Sequence, residues 1–455
     1  MTGVGGPGGG GGRPSGAASG AAGAGAAAAR EVPADTTAAV VLERCELLAT
    51  HSSLPGGLIQ RVNLSPEHAA VNAIAAGWMQ DAGMTTWQDA AGNQCGRLEG
   101  AEPGLPALLL GSHLDTVPRA GKYDGILGVL TAIAVVQRIR SSGRALPFAL
   151  EVVAFADEEG TRFGRALIGS RAYAGTFDPA WWELLDEHGV SLHQAFLDFG
   201  LDPSTVQDAA RRPEEFVGYL EAHIEQGPYL EDENKALGIV SSIAGARRFL
   251  ITITGRAGHS GTPYERRRDA LAGAADAILA IERIARSAQL IATVGHLQVS
   301  PGAVNVIPGE VEFSLDLRGE YDSERDRIWT VIQDMLTDIC RQRRLSWESV
   351  ETHSAPAAEC SARLRAAVGE GIRSTGDRRP MSLFSKAGHD AMAIAAITEI
   401  GMLFVRCEGG VSHNPAEHVT EADVAATIDA FERAVLAVAA SSSSSSAAAG
   451  SAESA

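Results

Sequence analysis

Four short apolar runs in this sequence carry a histidine or acidic residue at their ends or just beyond them. The runs occupy residues 107–110, 149–155, 219–224 and 402–405. Short continuous apolar runs separated by helical periodicity are typical of buried strands in a largely parallel α/β sheet. Open α/β sheets bind ligands beyond the carboxyl ends of their strands. We therefore expect these polar side chains to converge on one site.

Five segments place a potential metal ligand beside turn residues, at positions 111–115, 123–125, 157–160, 223–227 and 412–415. Imidazole and carboxylate groups without a cysteine pair suit two divalent cations that share a carboxylate. Taken singly, each segment has a simpler explanation, since paired acids often begin a solvated helix and Asp-Gly often forms a turn. Together they predict hydrolysis at a two-metal centre.

Length, charge and cysteine content limit the class of protein. A chain of 455 residues exceeds what one core usually organises, so two domains are expected. A formal net charge of −18 argues against nucleic acid or an anionic membrane as a partner. The apolar run at 125–136 is shorter than the roughly 20 residues of a membrane-spanning helix. The five scattered cysteines indicate reduced thiols in a cytoplasmic protein.

The two ends of the chain have low complexity. Residues 1–35 are rich in glycine and alanine, and residues 441–455 are rich in serine and alanine. Neither segment has the apolar bulk that a packed core requires, and the first lacks the apolar segment of a secretory signal. We expect both tails to be disordered.

The middle of the chain follows a different pattern. It predicts elements in the order β-α-β-β-α, at residues 249–254, 268–286, 292–299, 310–317 and 326–341. This order fits an inserted α+β domain, ferredoxin-like in type, at 244–357. The segments 36–243 and 358–440 would then form one discontinuous α/β domain with a mixed sheet flanked by helices.

Nine short motifs between about Cys45 and His418 carry a family resemblance, at residues 111–117, 123–125, 157–160, 223–227, 258–260, 305–308, 316–318, 388–390 and 412–414. In this order they closely resemble the hydantoinase/carbamoylase amidases. That family includes N-carbamoyl-L-amino acid hydrolases, β-ureidopropionases and allantoate amidohydrolases, within the zinc aminoacylase/carboxypeptidase superfamily. The resemblance implies a zinc-aminopeptidase-like catalytic domain with an inserted lid.

The resemblance also implies the ligands of two metal ions. His113, Asp124 and His223 would hold one ion, and Asp124, Glu159 and His413 would hold the other, so that Asp124 bridges them. Two ions about 3.5–4 Å apart share a water molecule and lower its pKa. Zn²⁺ or Mn²⁺ is expected, although Co²⁺ and Ni²⁺ also accept such ligands.

Three further residues receive catalytic roles from the same resemblance. Glu158 would be the general base that takes a proton from the water and passes it to the leaving nitrogen. Asp115 would fix the tautomer and orientation of His113. His259 would stabilise the oxyanion of the tetrahedral intermediate.

Substrate recognition is expected from residues in both predicted domains. By resemblance, Asn305 and Arg318 bind the substrate carboxylate, and Gln226 contacts the ureido group. Gly388 and His389 belong to a loop that would also contact the substrate. The inserted domain would form a homodimer interface and close over the metals.

One position departs from the family pattern. The usual Ser-Gly-Ala-Gly-His-Asp loop reads Ser-Lys-Ala-Gly-His-Asp here, so Lys386 replaces a glycine. The replacement removes the conformational freedom of glycine at that point. The lysine either adds a cation near an anionic substrate or faces solvent.

The expected reaction is hydrolysis of the carbamoyl C–N bond of a ureido acid, with release of ammonia and CO2. Allantoate is the first choice of substrate, and an N-carbamoyl-L-amino acid or a β-ureidopropionate is the alternative. An aminoacylase or dipeptidase is a more remote alternative, which Gln226 opposes. A binding module without catalysis is opposed by the complete set of ligands and the presence of Glu158.

Overall fold

The computed structural model describes residues 33–452, and side chains up to residue 441. The predicted disorder of residues 1–32 and 453–455 therefore lies outside the described residues. The last helix continues to Ala452, whereas the sequence predicted a disordered tail from residue 441. Extending an existing helix is easier than starting one, so even a run of serines can continue it.

The structure has eleven α-helices among the described residues. The helices are α1 (Ala38–Ala49), α2 (Pro66–Asp81), α3 (Ile126–Ser141), α4 (Ile168–Tyr173), α5 (Leu192–Phe199), α6 (Tyr229–Asp232), α7 (Ala270–Ser287), α8 (Asp322–Arg343), α9 (Ala362–Ser374), α10 (Ala391–Ile394) and α11 (Glu421–Ala452). Helix α2 begins as its sequence predicts, because the Ser65 side chain accepts a hydrogen bond from the backbone of His68 and proline occupies the first turn.

The strands form a larger sheet, a smaller sheet and a separate two-stranded pair. They are β1 (Thr85–Gln88), β2 (Gln94–Leu98), β3 (Ala107–His113), β4 (Ala149–Phe155), β5 (Phe216–Ile224), β6 (Leu237–Ile243), β7 (Gly245–Thr254), β8 (Gly258–His259), β9 (Ile291–Thr293), β10 (Leu297–Ser300), β11 (Val306–Ile307), β12 (Glu310–Gly319), β13 (Ser346–Ala355), β14 (Ala358–Glu359), β15 (Met381–Ser385) and β16 (Ile400–Val405). The separate pair is β8 with β11.

The larger sheet is mixed and has nine strands, in the order β1-β2-β4-β3-β5-β16-β6-β14, with β15 also paired to β6. Strands β4, β3, β5 and β16 are parallel to one another, so their carboxyl ends meet at one edge. These four strands are the four apolar runs that the sequence predicted to be buried. Apolar clusters cover both faces of the sheet, which confirms the α/β fold class.

The smaller sheet has five strands, in the order β10-β12-β7-β13, with β9 also paired to β12. Helices α7 and α8 pack on one face and enclose a separate apolar cluster. The predicted strand at 292–299 is interrupted at Gly295 and His296, whose backbone N–H groups donate to the Ser314 hydroxyl. The division of the chain into an inserted domain at 244–357 and a catalytic domain stays a prediction.

Two further observations concern membranes and cysteines. Within residues 33–452, no helix combines the length and hydrophobicity needed to cross a bilayer. All five cysteines are buried free thiols.

Candidate active site

His113 is the last residue of β3 and is held from two sides. Its Nδ1 lies 3.1 Å from the backbone carbonyl oxygen of Asp115, which favours a proton on Nδ1 and leaves Nε2 as the acceptor. Gly125 packs against the ring with φ of +71°. A Cβ atom at this glycine would lie 2.3 Å from Nε2 of His113, so only glycine fits there.

His223 lies near the end of β5 and has the same arrangement. Its Nδ1 is 2.9 Å from the backbone carbonyl oxygen of Ile224, so Nε2 is again the free ring nitrogen. That Nε2 is 3.1 Å from Oδ1 of Asp124. The rings of His113 and His223 are neighbours, with centroids 5.9 Å apart. Both imidazoles therefore present Nε2 toward Asp124.

The two carboxylate oxygens of Asp124 face different groups of side chains. Oδ1 lies 3.1 Å from Nε2 of His223 and 3.9 Å from Nε2 of His113. Oδ2 lies 3.0 Å from Nε2 of His413, which in turn is 3.5 Å from Oε1 of Glu159. The predicted bridging residue therefore stands between the two predicted ligand groups.

Asp115 organises the pair of acids that follows β4. Its Oδ1 accepts a hydrogen bond from the backbone N–H of Glu158, and its Oδ2 accepts one from Glu159, each at 3.2 Å. The carboxylate stands farther from His113, at 3.6 Å from Nδ1. The main contact to that imidazole comes instead from the Asp115 backbone, so its carboxylate chiefly positions Glu158 and Glu159.

Glu158 faces a small cavity at the cluster. The cavity has a volume of about 180 Å³, and its walls include Asp124, Glu159, Gln226 and His413. Oε2 of Glu158 lies 3.9 Å from Nε2 of His113. A buried carboxylate that faces a cavity beside imidazoles is placed to exchange a proton with a molecule bound there.

Burial and like charges set the protonation of the cluster. Burial raises the pKa of Glu158 well above its usual range, and the neighbouring carboxylate of Glu159 raises it further. Burial, followed by the charge of Asp124, raises the pKa of Glu159 to about 8. Burial would also raise the pKa of Asp124, but the hydrogen bonds of His223 and His413 hold it well below the usual value. The cluster therefore holds closely spaced acids that added positive charge would stabilise.

Glu417 is a site residue that the sequence analysis missed. Its buried carboxylate accepts hydrogen bonds at Oε1 from the backbone N–H groups of Tyr123 and Asp124, at 2.8 and 3.2 Å. Its Oε2 accepts a hydrogen bond of 2.8 Å from the hydroxyl of Ser412, which also lies 3.0 Å from Oδ2 of Asp124. Glu417 thus joins the loop of Asp124 to the loop of His413.

Gln226 lies beside the carboxylate of Asp124. Its Nε2 donates to Oδ2 of Asp124 at 2.9 Å, and the residue has a φ of +55°. His413 likewise has a φ of +54°. A positive φ costs free energy at a residue other than glycine, so surrounding contacts must hold both turns.

The other predicted substrate residues are divided between two places. Gly388 lines the cavity, and the buried ring of His389 packs on His223 with centroids 4.4 Å apart. His259 and Asn305 are exposed and lie outside the cavity wall, on the β8–β11 pair and its loop. The structure therefore brings Gln226, Gly388 and His389 to the cluster and leaves His259 and Asn305 apart from it.

Arg318 has partners within the protein. Its Nε and Nη2 donate to the two carboxylate oxygens of Asp316, each at 3.1 Å, and its Nη1 donates to the backbone oxygen of Lys386 at 3.0 Å. Lys386 in turn packs its ammonium over the ring of Tyr229, 3.8 Å from the centroid.

The donor set fits divalent cations. The ligand atoms of His113, Asp124 and His223 lie within 4.8 Å of one another, and so do those of Asp124, Glu159 and His413. Neutral imidazole nitrogens and carboxylate oxygens are ligands that Zn²⁺ and Mn²⁺ accept. Both predicted ligand groups are therefore compatible with metal binding.

Comparison with known proteins finds relatives over most of the chain. Residues 109–437 match Peptidase family M20/M25/M40. The N-carbamoyl-L-amino acid amidohydrolase of Geobacillus stearothermophilus is 42% identical over 82% of this chain and 91% of its own length. The allantoate deiminase of Arabidopsis thaliana is 39% identical over 81% of this chain and 76% of its own length. A solved hydantoinase/carbamoylase family amidase from Burkholderia multivorans has a TM-score of 0.80 and 31% identity, covering 88% of this chain and 98% of that one.

Proposed function

The chain belongs to Peptidase family M20/M25/M40 and, within it, to the hydantoinase/carbamoylase amidases; from this we propose that it is a dinuclear metal-dependent amidohydrolase of ureido acids. Its curated relatives are amidohydrolases and deiminases, so the protein is a hydrolase of carbon–nitrogen bonds. The proposed reaction cleaves the carbamoyl C–N bond and leaves an amine, ammonia and CO2. The observation that carries the proposal is the position of Asp124 between two groups of ligand atoms.

The proposed ligands are those that the family pattern implies. His113, Asp124 and His223 would hold one ion, and Asp124, Glu159 and His413 the other. Two divalent ions bound here would polarise the carbamoyl oxygen and lower the pKa of a shared water. Zn²⁺ and Mn²⁺ are the proposed ions, and Co²⁺ and Ni²⁺ are the alternatives.

Glu158 is the proposed general base. Its carboxylate is buried, lines the cavity and lies beside His113. It would accept the proton of the attacking water and deliver it to the leaving nitrogen. Asp115 supports this role because its carboxylate accepts hydrogen bonds from the backbone N–H groups of Glu158 and Glu159.

Substrate binding is proposed to involve both sheets. Gln226 and Gly388 line the cavity and would contact the ureido group. Arg318 would bind the substrate carboxylate by exchanging its pair with Asp316 for one with the ligand. His259 and Asn305 would reach the substrate only when the smaller sheet closes over the cavity.

A homodimer is proposed through the segment that carries the smaller sheet. Strand β13 forms one edge of that sheet, and most of its residues are exposed or half-buried. An uncovered edge strand is a ready surface for pairing with a second copy. Some of the lid residues would then act on the partner's site.

Allantoate and N-carbamoyl-L-amino acids are the two candidate substrates. The sequence favours allantoate, while relatives with 42% and 39% identity divide between the two activities.

The experiment that tests the proposal uses metal-reconstituted protein and three kinds of substrate. Ammonia release is measured with allantoate and with N-carbamoyl-L-amino acids. With N-acetyl-L-amino acids, release of the free amino acid is measured instead. Hydrolysis of a ureido acid that a chelator abolishes is the expected result. Preferential hydrolysis of the N-acetyl substrates, or full activity after chelation, would overturn the proposal in favour of an aminoacylase or a metal-free enzyme.

A further inference from the structure

A groove runs along the face of the smaller sheet opposite its helices. It has a volume of about 600 Å³, and its walls include Arg248, Ser314, Asp316 and Arg318 from adjacent strands together with Lys386. Leu315 and Leu317 alternate with these polar residues along β12 and point into the apolar core. The sheet therefore presents a row of polar and charged side chains to the groove.

Positive charge exceeds negative charge in this groove. Arg248 donates to Oδ2 of Asp316 at 3.1 Å, and Arg318 contacts both oxygens of the same carboxylate. One carboxylate thus balances one of two guanidinium groups. Lys386 adds a third cation, whose ammonium contacts the hydroxyl and the ring of Tyr229 and whose charge acts on the carboxylate of Glu225. The formal net charge of the whole chain is −18, so a groove wall with three cationic side chains and one carboxylate is contrary to the overall balance.

Two further arginines, Arg165 and Arg171, act electrostatically on a histidine of the smaller sheet. His353 of β13 pairs with Arg248 across the sheet. Burial lowers the pKa of His353, and the charges of Arg248, Arg165 and Arg171 lower it further. Arg165 adjoins Ala166, which lines the cavity beside Glu158. Arg165 therefore acts electrostatically on His353 and adjoins a residue of the cavity wall.

A single loop connects the groove with that cavity. Lys386 lines the groove, and the next two residues, Ala387 and Gly388, line the cavity. The same loop therefore forms part of the wall of both spaces. Arg318 fixes this loop through its hydrogen bond to the Lys386 carbonyl. A ligand with its ureido group in the cavity would have to pass this loop to bring a second group to the cations.

We propose that this groove is a subsite for a second anionic group, which would make N-carbamoyl derivatives of acidic amino acids better ligands than the candidate ureido acids that carry one carboxylate. The inference rests on the proposed function for the position of the ureido group. Arg318 would bind the first carboxylate, and Lys386 with Arg248 would bind the second.

The test compares two ligands of nearly equal shape and different charge. N-carbamoyl-L-glutamate carries two carboxylates, and N-carbamoyl-L-glutamine carries one. Their Kd values are measured by calorimetry on full-length, metal-reconstituted protein in the Glu158→Gln background, which limits consumption of the ligand. We expect the dianion to bind about tenfold more tightly at low ionic strength, with the difference shrinking as salt is added.

Matched variants locate the charge that makes the difference. In the same background, Lys386→Met and Arg248→Met should each reduce the preference for the dianion to about threefold or less. Lys235→Met is the control, because Lys235 pairs with Asp377 at 2.8 Å and lies outside the groove wall. Equal affinity for the two ligands, or a preference that survives Lys386→Met, would overturn the subsite.

A hydrolysis assay keeps this inference separate from the proposed function. Ammonia release from both ligands is measured with the otherwise unmodified protein. Faster release from the dianion agrees with both ideas. If neither ligand releases ammonia but the dianion still binds more tightly through Lys386, the subsite stands and the assignment of N-carbamoyl substrates fails.

Discussion

The backbone N–H of Asp124 donates a hydrogen bond to the carboxylate of Glu417, a residue 293 positions later in the chain. This bond, together with the one from Tyr123, holds the loop of Asp124 in place. We expect Glu417→Ala to leave both N–H groups without an acceptor, at a cost of about 1–3 kcal/mol each. Metal affinity should fall by about 10–100-fold, as for other groups that orient ligands. Chelator competition and urea unfolding measure the two effects.

The control for this prediction is Glu417→Gln. The amide oxygen can still accept from Tyr123 and Asp124, and Ser412 can accept from the new amide group instead of donating. Metal affinity should therefore recover to within a few-fold of the unmodified protein. An alanine variant that binds metal normally would show that Glu417 has no positioning role.

Replacement of the proposed base separates chemistry from metal binding. Glu158→Gln keeps the size of the side chain and removes its capacity to accept a proton. We expect turnover to fall by about 10²–10⁴-fold with unchanged metal content. Glu159→Gln should instead lower the metal content, because its Oε1 is the atom that faces His413. Metal analysis beside a rate assay distinguishes the two variants, and near-normal turnover of Glu158→Gln would contradict its role.

Gly125 offers a direct test of the packing around His113. A Cβ atom there would lie 2.3 Å from Nε2 of His113, so Gly125→Ala should displace the ring and weaken metal binding by at least about tenfold. Gly143→Ala is the matched control, since Gly143 has a similar φ of +66° and has no atom within 4 Å of the added carbon. Both variants should lose about 1 kcal/mol through backbone strain. Only Gly125→Ala should lose metal.

Stability below neutral pH depends on a buried histidine far from these loops in sequence. Burial lowers the pKa of His68 to about 3, and its Nδ1 accepts a hydrogen bond from the backbone of Leu64. The unfolded chain binds a proton at this histidine below its ordinary value of 6.5, whereas the folded chain does not. The free energy of unfolding should therefore fall as the pH decreases, with His68 contributing a loss of about 2 kcal/mol at pH 5.

Removal of the imidazole should reduce this acid sensitivity. We expect His68→Phe to have a lower free energy of unfolding than the unmodified protein at pH 7.5, because the backbone N–H of Leu64 loses its acceptor. Between pH 7.5 and pH 5, however, the free energy of unfolding of the variant should fall by about 2 kcal/mol less than that of the unmodified protein. His188→Phe is the control, because the side chain of His188 is 79% exposed. Urea unfolding at the two pH values gives the comparison, and identical pH dependence in the His68 variant would contradict the assignment.

The elements that the sequence predicted well are those with a strong pattern. Strand β4 matches its predicted bounds, since every residue of this run is buried. Strand β13 gave no signal because, as an edge strand, it has no fully buried residue and has a largely polar sequence. The split between β9 and β10 also escaped prediction, because it depends on the contact of Gly295 and His296 with Ser314.

The site shows a similar limit. The ligand groups around Asp124 were implied by the family resemblance of the motifs that contain them, and the structure brings the ligand atoms of each group within 4.8 Å of one another. Glu417 had no such signal, since a lone acid in a loop resembles any surface carboxylate until its long-range contacts are known. The carboxylate of Asp115 was expected to orient His113, and its bonds to the backbone of Glu158 and Glu159 could not be inferred from spacing.

The loop between the cavity and the groove separates two kinds of change. Residue 386 contacts the groove, while the ligand atoms grouped with Asp124 come from other segments of the chain. If the proposed subsite is correct, a mutation at this one position would alter which molecules are accepted and leave the proposed metal ligands in place. Such an arrangement lets enzymes with nearly the same reactive centre diverge toward different nitrogen compounds by few substitutions.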